Sequence, residues 1–119
     1  MISVGSADSI ALMASKYSIP DSTPVHRVDD DGFVTGTWNS LIDTTVTTTG
    51  APSSLPAGSA NALVWTGFNG LDCNGWSNST NAVSGDRGDS ASATALRLNQ
   101  GNIACNLTAH LLCVCWSAP

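Results

Sequence analysis

The chain has 119 residues, of which 42% are hydrophobic and only 11% charged, enough to build the interior of one domain and too little for two. Nine Asp and Glu against four Lys and Arg give a formal net charge of −5 without any basic cluster. That balance argues against nucleic acid, anionic lipid and sulfated polysaccharide as partners, since each needs a concentrated positive field.

Taken in chain order, Met1 to Ala11 has neither a basic stretch nor a long apolar one, so no secretory signal is read there. Ala7 to Tyr17 carries Ile10, Met13, Ala14 and Tyr17 at helical spacing, which predicts a short helix stopped by Pro20. Val25 to Val28 alternates like a half-buried strand, Asp29-Asp30-Asp31-Gly32 reads as a turn, and Phe33-Val34 resumes the strand, giving a hairpin. Thr37 has the hydroxyl of an N-cap, and Trp38, Leu41 and Ile42 after it fall on one helical face. Thr44 to Ala60, with its Thr run, Gly50, Pro52, Pro56 and Gly58, is loop-like.

Ala62-Leu63-Val64-Trp65-Thr66-Gly67 is the clearest strand in the chain. Phe68 to Gln100 is dominated by Gly, Asn, Ser and Asp and is expected to hold little regular structure. Such a long loop needs a staple, and Cys73 and Cys105 stand at its ends. Closing roughly 30 residues stabilises by about 3 to 4 kcal/mol in the chain-entropy picture. His110 to Trp116 reads as a buried closing strand. No apolar run approaches the roughly 18 residues that span a bilayer, so no membrane insertion is expected.

These landmarks, in this order from Pro24 to Trp116, resemble the endostatin family: the C-terminal domains of collagens XV and XVIII and bacterial, leptospiral-type endostatin-like surface proteins. Pro24 to Leu41 is similar to the family's hairpin and Trp helix, Leu63 to Gly67 to its central strand, Cys73-Asn74-Gly75-Trp76 to its Cys-x-x-Trp turn, and Leu111 to Val114 to its last strand. The resemblance implies an α+β, C-type-lectin-like fold: short helices, a mixed, mainly antiparallel sheet and long irregular loops in one domain over residues 1–119, with an abbreviated N-terminal helical part. It also implies the Cys73–Cys105 bridge that loop closure favours. The family's second bridge has no helix partner here, because Ala11 stands at that position, so Cys113 is expected to remain a reduced core thiol. Cys115 is left open between a strained bond to Cys113 and a crosslink to another chain. The zinc ligands and heparin-binding arginines of collagen endostatins have no counterparts, nor do the sugar-binding Glu-Pro-Asn and Trp-Asn-Asp motifs of calcium-dependent lectins.

No Gly-x-Ser-x-Gly or comparable setting surrounds a serine, so no catalytic residues are assigned and the chain is not expected to be an enzyme. His110 reads as a hydrogen-bonded packing residue and His26 as a hairpin face residue. Asp29 to Asp31 reads as a solvated turn without the ligand spacing of an EF-hand loop, so neither metal nor cofactor is expected. Trp38, Trp65 and Trp116 are expected in the core and Trp76 partly exposed. Asn78-Ser79-Thr80 and Asn106-Leu107-Thr108 are sequons that only a eukaryotic secretory pathway would use. A binding face is expected on the 68–100 loops, with Phe68, Asn69, Trp76 and Asn78 as its residues, because rigid scaffolds present function on polar loops. The expectation is a non-enzymatic extracellular or cell-surface recognition module, adhesin-like, for a protein or glycan. The alternative is a self-assembling structural subunit or tip domain of a surface appendage or virus particle.

Overall fold

The computed structural model of the chain describes residues 10–56, 59–111 and 115. The architecture is α+β, with short helices, a two-stranded ribbon and a four-stranded mixed sheet. A 3-10 turn at Ile10–Leu12 runs into helix α1 (Met13–Tyr17), and Ile10 and Met13 enter the core as the spacing predicts. The expected residues 7–9 of this helix lie outside the described residues. The helix stops before Pro20: Ser18 takes a left-handed conformation at φ 54°, and the N–H of Ile19 bonds the Ala14 carbonyl at 2.9 Å.

The hairpin pairs strands β1 (Val25–His26) and β2 (Phe33–Thr35) antiparallel, with a bulge that lets buried Val34 reach the core. Arg27 leaves the strand to organise the acidic turn. Its Nε and Nη2 donate to the Asp30 carboxylate at 2.8 and 2.7 Å, and the Gly32 N–H adds a third bond at 2.9 Å. Helix α2 (Trp38–Ile42) begins as its sequence predicts, with Thr37 Oγ1 accepting from the Ser40 N–H at 3.1 Å and Trp38 and Leu41 buried.

The core joins Ile10, Met13, Ile19, Val34, Trp38, Leu41 and Leu98, with Phe68 packed against its margin. Strands β3 (Leu63–Trp65), β4 (Ser84–Asp89), β5 (Gly101–Ala104) and β6 (His110–Leu111) form the sheet in the order β5-β4-β3-β6. All neighbours are antiparallel except β3 and β6, which run parallel. Side-chain alternation gives the sheet two different faces. Val64 and its cross-strand partner Gly88 face the core, so close to the Ala95–Arg97 turn that a Cβ on Gly88 would stand 2.2 Å from the Arg97 carbonyl oxygen. Trp65 lies on the other face, half-buried, over Gly85 and beside the bridge between Cys73 and Cys105.

Two expectations change here. The stretch from Phe68 to Gln100 holds β4, the longest strand among the described residues and an inner one of the sheet. Its sequence, Ser84-Gly85-Asp86-Arg87-Gly88-Asp89, looks like a loop because two glycines admit neighbouring groups where side chains would stand. The closing strand pairs as expected at His110 and Leu111, but both residues are exposed on a sheet edge instead of buried. Residues 112–114 and 116–119, with Cys113 and Trp116, lie outside the described residues.

Candidate functional site

The chain leaves β3 at Trp65, makes an excursion through Gly67 to Gly70, and returns to β4, where Asp72 bridges Gly85. The excursion is organised from below by Asp86. This side chain is 2% exposed, and its Oδ2 accepts from the Asn69 and Leu71 N–H groups at 2.8 and 2.9 Å. Two backbone donors that would otherwise be unpaired in a tight loop thus meet a carboxylate that would otherwise be buried without a partner.

After Asp72 the backbone turns left-handed for four consecutive residues: Cys73, Asn74, Gly75 and Trp76 have φ of 53, 56, 69 and 63°. Left-handed turns cost L-residues roughly 1–2 kcal/mol each, so three non-glycine residues persist there only because the surroundings hold them. The Trp76 N–H bonds the Asp72 carbonyl at 2.6 Å, and the Asn78 N–H bonds that of Cys73 at 2.9 Å. Cys73 is bridged to Cys105, across 32 residues and with both half-cystines buried. The Trp76 ring tilts against Trp65, 5.7 Å between centroids, so the turn is clamped from both sides.

The expected site residues divide accordingly. Phe68 packs against the core and serves it more than a surface. Asn69 is exposed, and its Nδ2 donates to Asn99 Oδ1 at 3.1 Å, tying two loops at their rim. Trp76 is half-buried against Trp65. Asn78 closes its own turn, with Oδ1 accepting from the Thr80 N–H at 2.9 Å. An open cleft of about 400 Å³ is lined by Leu71, Asp72, Asn74, Val83, Ser84 and Asn102 among others, and none of the four expected residues belongs to its lining. Sequence reasoning missed it, because Asp72 and Asn102 lie on segments that meet only through β4.

Comparison of the chain with family models, with curated proteins and with solved structures finds no match. The chemistry must therefore be read from the residues. No group of three or more His, Cys, Asp or Glu among the described residues is placed to hold a metal ion. His26 is a partly exposed hairpin residue, its Nδ1 3.1 Å from the Asp31 carbonyl and its ring edge-on to Phe33. His110, read from sequence as a packing residue, is exposed. Cys115 is exposed with a free thiol. No helix among the described residues is long and apolar enough to cross a membrane.

Two ionisable groups hold backbone in place, Arg97, which the sequence reading passed over, and Asp30, whose Arg27 partner it did not assign. Arg97 is fully buried, and burial lowers its pKa, partly offset by the charge of Asp43. Its guanidinium donates to the carbonyls of Ser40, Leu41, Asp43, Val46 and Thr94 at 2.6 to 2.8 Å. It therefore caps the carbonyl end of α2 and fixes it to the turn before β5. Asp30 is held well below the usual carboxylate range, at about 2, by the Arg27 side chain and then by the Gly32 N–H. The signal for Arg97 was available: it is the lone cation inside the apolar run Ala95-Leu96-Arg97-Leu98.

Proposed function

We propose that this chain is a non-enzymatic recognition module that works outside the cell or at its surface, binding an extracellular protein or glycan through its 68–100 loops. One observation carries the reading: the 69–76 segment is pinned from three directions, by the Asp86 carboxylate, by the Asp72 and Gly85 bridge and by the Cys73–Cys105 disulfide, while Asn69 and Asn74 are exposed on it. A loop ordered before it meets its partner loses little entropy on binding, which is the economy of a recognition surface. The disulfide supports an oxidising compartment. Short helices, a mixed sheet and long loops are compatible with the endostatin-like, C-type-lectin-like architecture, and the ordered landmarks support that kinship.

The test is a binding array of glycans and extracellular-matrix proteins, probed with the disulfide-intact chain and with the Asn69→Ala and Trp76→Ala variants. The reading expects a specific signal that at least one variant weakens. Silence across both panels overturns it.

A structural role in a surface assembly is the second reading, and the exposed free thiol of Cys115 favours it. Light scattering with and without reductant separates the two: a monomer supports recognition, and a reducible dimer or larger species supports assembly.

A further inference from the structure

We infer that the cleft between the 70–74 segment and the Val83, Ser84 and Asn102 rim is a subsite for a neutral saccharide; this deepens, and rests on, the recognition reading above. The observation behind it is a concentration of unused hydrogen-bonding groups. Several polar side chains in turns are spent on the neighbouring backbone, as Asp30 on Gly32, Asp43 on Thr45, Asn78 on Thr80 and Asp89 on Ala91, all at 2.8 to 3.0 Å, while others stand singly in solvent. The cleft gathers four unbonded ones in one place. Among the described residues, the side chains of Asp72, Asn74, Ser84 and Asn102 make no hydrogen bond, and all four line the same hollow.

Their chemistry selects a ligand class. Two carboxamides each donate and accept, a hydroxyl does both, and a carboxylate accepts. That mixture matches adjacent hydroxyl groups, which also donate and accept at neighbouring positions. An apolar ligand would strip water from four polar groups and return nothing. A phosphate, sulfate or carboxylate would face Asp72 with no cation in the lining to balance it, in a chain of net charge −5. Leu71, 43% exposed, and Val83 add apolar surface on which the C–H face of a sugar ring can rest. The volume, about 400 Å³, sits at the small end of ligand sites and admits roughly one or two sugar rings.

The walls are fixed before any ligand arrives. Ser84 and Asn102 stand on the same sheet face as Asp86, two residues along β4 and directly across from it on β5. On the opposite wall, Asp86 holds the Leu71 N–H, the bridge to Gly85 holds Asp72, and the disulfide holds Cys73 next to Asn74. A protein partner, by contrast, needs about 800 Å² on each side, far more surface than this hollow offers.

The experiment is a ¹H–¹⁵N NMR titration of the disulfide-intact chain with galactose, mannose, N-acetylglucosamine, lactose and cellobiose, alongside sialylated and sulfated lactose and a panel of matrix proteins. At least one neutral sugar should shift the amides of 70–74, 84 and 102 in a saturable way. Asn102→Ala and Asp72→Asn should each weaken that sugar about tenfold, while Asn39→Ala, on α2 and outside the lining of this cleft, leaves it unchanged. Near-UV circular dichroism establishes that the variants keep the native packing. The inference fails if the shifts map elsewhere, if both cleft variants bind as before, or if only the charged sugars bind. Capture by matrix proteins with no neutral-sugar shift also overturns it while leaving the recognition reading standing. Silence from every ligand overturns both.

Discussion

The Nε of Arg97 donates to the backbone carbonyl of Leu41, 56 residues earlier in the chain, at 2.7 Å. The contact joins the end of α2 to the turn before β5, and the remaining guanidinium donors serve five more carbonyls around it. A planar fork can satisfy so many acceptors at once; an ammonium cannot. Arg97→Lys should therefore destabilise by about 2 kcal/mol or more, and Arg97→Met by about 3 to 5 kcal/mol, because buried carbonyls would be left without donors. Urea denaturation followed by tryptophan fluorescence measures both. A Met variant as stable as the natural chain would remove this side chain from the account of the core.

The Cys73–Cys105 bridge closes the segment that contains β4. Replacing both cysteines with serine should lower stability by about 2 to 5 kcal/mol, as in other small disulfide-bearing domains. Thermal unfolding of the double variant beside the oxidised protein gives the number. Peptide mapping without reductant should recover Cys73 and Cys105 in one crosslinked fragment.

Gly88 faces the Arg97 carbonyl at a spacing no methyl group can enter. Gly88→Ala must push either β4 or the Ala95–Arg97 turn away, and the expected loss is about 1 to 3 kcal/mol. Unfolding midpoints measure it. Hydrogen exchange should show the damage in β4 and β3 first, since the two strands pair at this position.

Acid should act through the hairpin turn. Asp30 has its pKa lowered from the ordinary 3.8 to about 2 by the Arg27 hydrogen bonds, so the folded state favours its charged form. The contribution to stability is therefore complete above the unfolded value and is lost as pH falls from near 4 towards 2. Both groups lie at the surface, so high salt should shrink the effect. Carboxyl ¹³C titration should place the Asp30 midpoint near 2, and Arg27→Gln should move it up towards the ordinary value.

Much of the scaffold could be read along the chain because its causes are local. Thr37 caps α2 with its own hydroxyl, the alternation around Val25 and Phe33 makes a hairpin, and Leu63 to Trp65 is apolar enough to be a strand wherever it packs. The disulfide followed from the position of two cysteines at the ends of one long segment. What could not be read has its causes elsewhere in the fold. Gly85 and Gly88 look like turn residues until Trp65 and the Arg97 backbone occupy the space they leave. Asp86 looks solvent-facing until the loop it holds is folded over it. Of the expected binding residues, Phe68 is partly buried against the core, a contact that an aromatic among glycines and asparagines does not announce in the sequence. The cleft needed Asp72 and Asn102, whose separation in sequence hides that β4 brings them to one hollow.

The bridge between Cys73 and Cys105 also governs what a protease can do to this protein. Ser79 to Ala82 is a fully exposed run inside the closed loop, the kind of loop tip at which nicking concentrates. A cut there severs the backbone between β3 and β4 without separating the pieces, because each keeps one of the bridged cysteines. The inner strand stays tethered to its neighbours and can remain in register, so the nicked molecule runs as an intact chain until a reductant divides it. In a protease-rich setting, the connection across the sheet therefore outlasts the continuity of the chain.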